Sequence, residues 1–433
     1  MKRFYFWALS ISLLLILAGV IWFFFFNTPA VPTVPGKPTG DLPAGGNRNI
    51  GGRGGNNSGG GGSANSTSSD PFAYISPLEK IWDKPVVGFT YAVVPILITS
   101  TSTNPSGQQI FVQTRSTSTY LFFVEKSTGN IFKKDFSTNK IIRVTNTTVP
   151  AVEDAVFLNS GKSVVLQTYN RDTKKVETFV ADVPQTISEN SPISLGAPTS
   201  LQDNIISFVP SYDGTSLYYL VPTGKGSTLY RYTKEKGAVF VESLPLKELF
   251  LKVTNKDVFA ISKPSAFIPG YVFRVSPFVI VYGGKTGFSY LPSPLGGVGF
   301  VSMWSSSGLF SYVHSLVNGS DSVLDAQFLA DKCSWSPLST FLLCGYDVSQ
   351  FIGDSGLPEA WYMGDVSFSD TLYLVNQEGG SYSAREAINL YQESNQDIDL
   401  IKPAFDSSSA YFSFINKKDG SLWLLDVVRT FSR

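Results

Sequence analysis

The two cysteines of this 433-residue chain both lie in one short stretch, CSWSPLSTFLLC, residues 333–344. A four-residue turn at Pro337 to Thr340 would set Cys333 directly opposite Cys344 in an antiparallel hairpin. Opposed residues in a non-hydrogen-bonded pair lie about 4.5 Å apart between Cα atoms, and a disulfide accepts roughly 4.4–6.8 Å. The spacing therefore predicts a cross-strand disulfide that clamps the hairpin. Two reduced core cysteines are one alternative, and a metal pair is another, although no nearby histidine completes a structural zinc site.

The second group of residues that could do chemistry lies in GDSGLPEAWYMGDVSFSD, residues 353–370. Two carboxylates at a suitable separation are sufficient for glycoside cleavage, and this stretch offers four: Asp354, Glu359, Asp365 and Asp370. The rings of Trp361 and Tyr362 are suited to stacking on a sugar. We read the stretch as a loop between structural units, and a purely structural role is the alternative: its aromatic rings pack and its acids cap turns. The residues predicted to bind a ligand are Trp361, Tyr362, Asp365 and Glu359, and none is assigned a catalytic role.

Most other chemistry is excluded by composition. A Ser-His-Asp triad needs a histidine as its base, and the chain has one histidine, His314. His314 lies in an alternating stretch typical of a strand, where a structural role is expected, so a triad is not predicted. No G-x-S-x-G motif is present, and the glycine-rich stretches follow no strand, so neither a nucleophile elbow nor a phosphate loop is predicted. Lys+Arg and Asp+Glu are equal at 34 each, which leaves no net field to attract nucleic acid. No cofactor or metal is predicted, and the question of catalysis stays open, with binding favoured.

The elements that must position these residues are short β-strands. The chain contains 33 Phe and 20 Tyr, which favour pleated sheets, and turn residues interrupt short apolar runs at regular intervals. Hairpins recur at 119–136, 163–183, 211–233, 370–384 and 410–427. A period of about 40–50 residues is typical of four-stranded propeller blades, so we predict an all-β fold with a single β-propeller of six to eight blades. A pair of β-sandwiches would explain the strands but not the recurring hairpin unit. Ala384 to Tyr391 is predicted to form a short helix.

Several segments carry a resemblance to a known family. CSWSPLSTFLLC resembles the Trp-Ser-Pro-Asp-Gly element of WD40-like (TolB-type) propeller repeats, with Leu338-Ser339 where Asp-Gly is usual. The stretches at 208–220 and 404–415 resemble degenerate copies of that element. Further segments are similar to an uncharacterised family of single-pass, membrane-anchored bacterial propellers: 125–135, 143–157, 263–273, 361–374 and 414–425. The resemblance implies a propeller fold and a membrane anchor, and it implies no activity.

The N-terminal part of the chain differs in character from the rest. Residues 4–26, FYFWALSISLLLILAGVIWFFFF, form an uncharged apolar run preceded by Lys2 and Arg3. That length spans a bilayer core of roughly 30 Å, and the basic residues favour a cytoplasmic N-terminus. We therefore predict three parts: a cytoplasmic stub and transmembrane signal-anchor helix (1–27), a disordered Pro/Gly/Ser-rich linker (28–70) and an extracytoplasmic propeller (71–433). A cleaved signal peptide is the alternative, but no A-x-A-like site follows the run.

These observations favour a membrane-tethered propeller that acts as a binding or scaffold module for envelope proteins or glycans. The alternative is a propeller glycoside hydrolase or polysaccharide lyase that uses paired carboxylates. A convergent acid pair in the central channel would favour the enzyme, whereas an aromatic patch on the rim would favour the binding module.

Overall fold

The computed structural model describes residues 74–103, 107–185, 192–305, 308–347 and 357–432. These residues form seven antiparallel sheets of four strands each. In six of the sheets the strands pair in chain order, so each is a simple meander that makes one blade. The prediction of a β-propeller is confirmed, and the number of blades is seven.

The strands of the first three blades alternate with short turns along the chain. Blade 1 consists of β2 (Val86–Thr103), β3 (Gln109–Glu125), β4 (Ile131–Asp135) and β5 (Lys140–Arg143). Blade 2 consists of β6 (Val152–Leu158), β7 (Ser163–Asn170), β8 (Lys175–Asp182) and β9 (Thr199–Ser200). Blade 3 consists of β10 (Ser207–Pro210), β11 (Leu217–Pro222), β12 (Ser227–Thr233) and β13 (Gly237–Leu244).

The next three blades repeat this arrangement. Blade 4 consists of β14 (Leu249–Val253), β15 (Val258–Ser262), β16 (Gly270–Arg274) and β17 (Val279–Lys285). Blade 5 consists of β18 (Ser289–Pro292), β19 (Val298–Ser305), β20 (Gly308–Ser315) and β21 (Asp321–Val323). Blade 6 consists of β22 (Cys333–Trp335), β23 (Phe341–Tyr346), β24 (Thr371–Glu378) and β25 (Ser381–Asn389).

The seventh blade joins the two ends of the described chain. It contains β26 (Leu400–Phe405), β27 (Tyr411–Asn416) and β28 (Leu422–Asp426), and β1 (Leu78–Trp82) is its outermost strand. β1 runs antiparallel to β28, with Leu78 opposite Leu425. Because the first strand completes the last blade, the ring closes through backbone hydrogen bonds, and the edge of β28 is paired rather than left open.

Short helices decorate the ring: a 3₁₀ turn at Ala330–Lys332, and α1 (Glu359–Met363), α2 (Leu390–Ser394) and α3 (Val427–Phe431). The predicted helix from Ala384 to Tyr391 is wrong over most of its length, because Ser381–Asn389 is β25. That segment pairs with β24 along its whole length. Its ladder of hydrogen bonds to a strand of the same blade overrides the local helical preference of Ala-Arg-Glu-Ala.

The core lies in layers between neighbouring blades. The layer between blades 5 and 6 contains Phe300, Phe328 and Trp335 together with both cysteines. Cys333 and Cys344 are opposed in the register of β22 and β23, with Cα atoms 4.1 Å apart, and they form a disulfide. The predicted bridge and hairpin register are therefore confirmed. Ser339 in the intervening turn has φ +58°, a left-handed conformation that glycine adopts more readily.

Removal of this disulfide is the first test of the fold. We expect the double variant Cys333→Ala/Cys344→Ala to lose about 2–3 kcal/mol of unfolding free energy, because the bridge closes only a short loop in the unfolded chain. Denaturant titration of the oxidised protein and of the variant measures the difference. Reductant should destabilise the native protein by a similar amount and leave the variant unchanged. Equal stability of the two proteins would contradict a clamping role.

The predicted transmembrane segment and linker, residues 1–27 and 28–70, lie outside the described residues. Within the described ranges, no helix has the length and apolar character needed to cross a bilayer.

Candidate functional site

The loops that surround the candidate site emerge on one face of the ring. In a four-stranded antiparallel blade, the connection between the second and third strands leaves the same face as the connection to the next blade. The segment 357–370, which links β23 to β24, therefore shares a face with the 3₁₀ turn 330–332 between blades 5 and 6. The segment 263–269 of blade 4 lies there too, and the Ala266 amide donates a hydrogen bond to Glu359 Oε1 at 2.6 Å. The stretch read from the sequence as a loop between units is thus an insertion inside blade 6.

A cavity of about 490 Å³ lies at the centre of the ring. Residues of the innermost strands of blades 2 to 7 line it, so it is part of the central channel. Its aromatic lining comes from Phe208 and Phe250 on two innermost strands and from Trp361 and Tyr362 on α1. Its charged lining consists of two acids and three lysines: Asp154, Asp331, Lys252, Lys402 and Lys417.

Irregular pairing aims two of these charges into the channel. The register of β26 shifts between Ile401 and Ala404, and Lys402 there has φ +50°. The register of β6 shifts next to Asp154. Such bulges re-aim side chains next to functional sites. Lys402 forms an ion pair with Asp154 and donates a hydrogen bond to the Val87 carbonyl at 2.7 Å, so this pair ties blade 7 to blades 1 and 2.

Asp331, the acid on the opposite side of the cavity, also has a hydrogen-bond partner. The Tyr362 hydroxyl donates a hydrogen bond to Asp331 Oδ2. Burial, followed by the nearby Asp331 charge, raises the pKa of Tyr362 well above its usual value, so the phenol stays protonated and remains a donor. The two acids of the channel thus each have a partner, which distinguishes them from a free pair ready for acid–base catalysis.

Lys252 differs from the other lysines of the cavity. It lies in the innermost strand of blade 4 and is partly exposed. Its backbone pairs with β15, but its ammonium group has no hydrogen-bond or ion-pair partner among the residues that the structure describes. An ammonium group in this position is available to a ligand that enters the channel.

Trp361 is the buried anchor of α1. It is 3% exposed, and its indole N–H donates to both oxygens of Asp399 at 3.1 Å. The Lys417 ammonium lies 4.4 Å from the centre of its ring and donates a hydrogen bond to its carbonyl. Desolvation lowers the pKa of Lys417, against the opposing effect of Asp399. Trp361 therefore borders the cavity chiefly by holding α1 in place, and little of its ring is open for stacking.

The other two predicted binding residues lie outside the lining of this cavity. Glu359 begins α1 and accepts the Ala266 amide hydrogen bond, while its second oxygen, Oε2, is buried without a partner. Asp365 is exposed, and its amide donates to the Ala360 carbonyl at 2.9 Å. The structure thus brings Trp361 and Tyr362 to the channel and leaves Glu359 and Asp365 at its periphery. Asp354 lies outside the described residues.

Beneath α1 lies a charge cluster of Lys332, Asp370 and Asp399; the sequence analysis named Asp370 as a candidate carboxylate but missed its two partners. All three side chains are completely buried. The Lys332 ammonium is 2.7 Å from Asp370 Oδ2, contacts Asp399 Oδ1, and lies 5.1 Å from the ring centres of Trp361 and Phe368. Backbone amides complete the shell: Leu400 N–H donates to Asp370 Oδ2 at 2.7 Å, and Phe368 N–H donates to Asp399 Oδ2 at 3.1 Å.

The cluster holds two carboxylates for one ammonium group. Burial raises the pKa of Asp370 to about 6, and Lys332 opposes that effect. Asp370 Oδ1 has no hydrogen-bond partner among the described residues. The cluster lies at the junction of the 3₁₀ turn, the blade 6 insertion and blade 7, so it fixes the loops that frame the channel mouth. No sequence motif signals it, because its members come from three separate segments.

His314 has the structural role expected of it. It lies in β20, its ring nitrogen Nδ1 is 2.7 Å from Asp321 Oδ1, and its ring packs against Tyr282 with centres 4.0 Å apart. Over the described ranges, no group of three or more His, Cys, Asp or Glu side chains has an arrangement that could hold a metal ion.

Comparison with known proteins finds similar solved structures but identifies no family. No protein-family model and no curated protein matches the sequence. Similar solved structures include a functionally unknown protein from Desulfotomaculum acetoxidans, with 12% identity, a TM-score of 0.47, and coverage of 71% of this chain and 92% of the other. The hydrazine synthase of Kuenenia stuttgartiensis has 11% identity, a TM-score of 0.45, and coverage of 71% and 92%.

A third similar structure is an oligogalacturonate lyase in complex with manganese, with 13% identity, a TM-score of 0.45, and coverage of 77% of this chain and 98% of the other. At these identities the likeness concerns the fold alone. The class of protein that the fold and site define is a seven-bladed β-propeller with an aromatic and lysine-lined channel cavity.

Proposed function

We propose that this chain is a membrane-tethered binding module, displayed outside the cytoplasm, that holds an envelope glycan in the mouth of its central channel. The observation that carries the proposal is the channel cavity of about 490 Å³, which falls within the roughly 300–1,000 Å³ of small-ligand sites. A cavity of this size fits one or a few sugar rings better than the broad surface of a folded protein. An envelope protein is the other ligand class, and it would dock through a protruding segment.

The lining of the cavity supports a sugar ligand. Phe208, Phe250 and Tyr362 offer ring surface, and the lysines offer donors to hydroxyl or carboxylate oxygens. The three lysines and two acids of the lining leave it with a net charge of +1, and Lys252 is the lysine whose ammonium group has no partner among the described residues. We therefore expect acidic sugars to bind more tightly than neutral ones.

The apolar run at residues 4–26 and the polar linker that follows support the tether and the external location. The disulfide is consistent with them, because disulfides persist in oxidising compartments. The resemblance to TolB-type, membrane-anchored propellers fits the same assignment.

Retention on immobilised oligosaccharides tests the site. The full-length chain is passed over neutral and uronate-containing oligosaccharides, and its dissociation constants are measured. We expect Lys252→Gln to weaken the binding of the acidic sugars about tenfold, which corresponds to roughly 1.4 kcal/mol for one lost charged contact. The matched control is Lys256→Gln, an exposed lysine in the adjacent turn of the same blade, which should bind like the native protein. No retention of any oligosaccharide, or equal loss in both variants, would contradict the proposal.

A propeller hydrolase or lyase is the second candidate, because Asp154 and Asp331 both line the channel. It predicts shortened oligosaccharides after incubation, and it predicts that Asp331→Asn abolishes the shortening. The ion pair of Asp154 and the hydrogen bond to Asp331 favour the binding module.

A further inference from the structure

An apolar groove of about 730 Å³ lies on the surface of blade 4, and we call it the blade 4 groove. Its floor and walls are formed by Leu246, Ile268, Tyr271, Phe273 and Ile280, together with three prolines. It lies away from the channel cavity, and the two share no lining residues.

A projecting loop forms one wall of the groove. Phe267 and Ile268 are 86% and 69% exposed at its tip. The loop is bounded by Pro264 and Pro269, whose rings restrict the backbone. Holding two large apolar side chains in water in this way is unfavourable unless another apolar surface covers them. The tip is therefore an apolar knob directly beside an apolar hole.

We propose that the blade 4 groove is the interface of a two-fold symmetric homodimer, in which the Phe267–Ile268 tip of each copy enters the groove of the other. In a two-fold interface the same patch occurs on both copies, so the patch must be complementary to itself. A surface that carries a knob and a matching hole side by side meets that condition. The groove is several times larger than one phenylalanine side chain, so it has room for the tip.

The charges at the rim of the groove suit a second copy. Lys247, Glu248 and Lys263 surround the apolar floor, and Glu248 is paired with Lys263 at 2.5 Å. Because the rim carries both signs, two copies meet without strong like-charge repulsion, and Lys247 of one copy can face Glu248 of the other.

The exposed area also suits a dimer. The groove and its loop present five large apolar side chains, each at least 38% exposed: Leu246, Phe267, Ile268, Phe278 and Ile280. Together they present on the order of 600 Å², at the upper end of what monomeric proteins expose, and a polar rim brings this close to the roughly 800 Å² per partner of a stable interface.

Photocrosslinking tests the interface in the full-length chain. A photoreactive benzoylphenylalanine in place of Phe267 should give a product of twice the subunit mass on irradiation. Mass spectrometry should locate the crosslink in the partner copy at 245–248 or 262–273. The control site is Val317, which is 84% exposed in a turn of blade 5, and the same probe there should give no dimer product.

A substitution gives an independent readout by sedimentation. Phe267→Asp should shift the full-length chain from dimer to monomer and weaken self-association at least tenfold, while Val317→Asp should leave it dimeric. Because Phe267 is so exposed, the circular dichroism spectrum of Phe267→Asp should match that of the native protein, and its unfolding midpoint should fall only by the stability that dimerisation adds. Crosslinks to lipid or to a different protein, or a native chain that sediments as a monomer, would overturn the proposal. Neither result bears on the sugar-binding test, since the channel residues are intact in both variants.

Discussion

Replacing Lys332 with methionine is expected to lower the unfolding free energy by about 3–5 kcal/mol, the cost of leaving a buried charge without its partner. Lys332 is completely buried between Asp370 and Asp399, which are also completely buried. Methionine fills a similar volume but supplies no charge and no donor. The two carboxylates would then face each other in a site that water does not reach.

Chemical denaturation of the full-length chain measures this loss, and two other lysines calibrate it. Lys134→Met removes a buried lysine whose partner, Glu79, is 49% exposed, so water can solvate the freed carboxylate and the loss should be smaller. Lys175→Met breaks a pair in which both side chains are exposed, and should cost the least stability of the three variants. A Lys332→Met protein as stable as Lys175→Met would show that the cluster does not hold the loops together.

The second large effect concerns pH. The pKa of Asp370 is about 6 in the folded protein and roughly 3.9 in an unfolded chain. Between these values the folded state holds a proton that the unfolded state has released. The stability that protonated Asp370 contributes is therefore complete below about pH 4 and is lost as the pH rises through about 6. A separation of about two pKa units corresponds to roughly 3 kcal/mol.

Asp370→Asn has no charge at any pH, so it should remove this part of the pH dependence. The stability of the variant relative to the native protein should rise between pH 4 and pH 7, by up to about 3 kcal/mol. Denaturant titrations at half-unit pH intervals measure the difference, in which the contributions of groups distant from this cluster cancel. A difference that is flat or that falls with rising pH would contradict the raised pKa.

Asp213 supplies a control of opposite sign. Hydrogen bonds from the Ser211 hydroxyl and from the Thr215 amide lower its pKa. Its charged form is therefore stabilised by folding, and that stability is present above the unfolded pKa and is lost as the pH falls through the lower, folded value. Asp213→Asn should be less stable than the native protein at pH 7, and the deficit should shrink as the pH falls.

The prediction of the Cys333–Cys344 pair shows what local sequence can determine. A turn at Pro337 sets the register of the hairpin, and the register decides which side chains face each other. The separation of eleven residues between the cysteines was therefore sufficient to predict that they pair. The hairpin predicted at 410–427 follows the same logic, since β27 (Tyr411–Asn416) and β28 (Leu422–Asp426) lie within it and pair with each other. In both cases the interacting residues are neighbours along the chain, and the pleat has a fixed period of two.

The blade 6 insertion has contacts that the local sequence does not predict. Trp361 was selected for its ring, yet the ring is buried because Asp399, from a different segment, accepts its indole hydrogen bond. The sequence predicts a helix from Ala384 to Tyr391, but the pairing of Ser381–Asn389 with β24 makes most of that stretch a strand.

The sequence by itself determined the strand-rich class, the hairpins and the disulfide, because each depends on residues close together in the chain. Tertiary structure alone decided the number of blades, the closure of the ring by β1, and the meeting of Lys332 with Asp370 and Asp399. These depend on contacts between distant segments, whose geometry is set by how the blades pack around a common axis and not by any local spacing of residues.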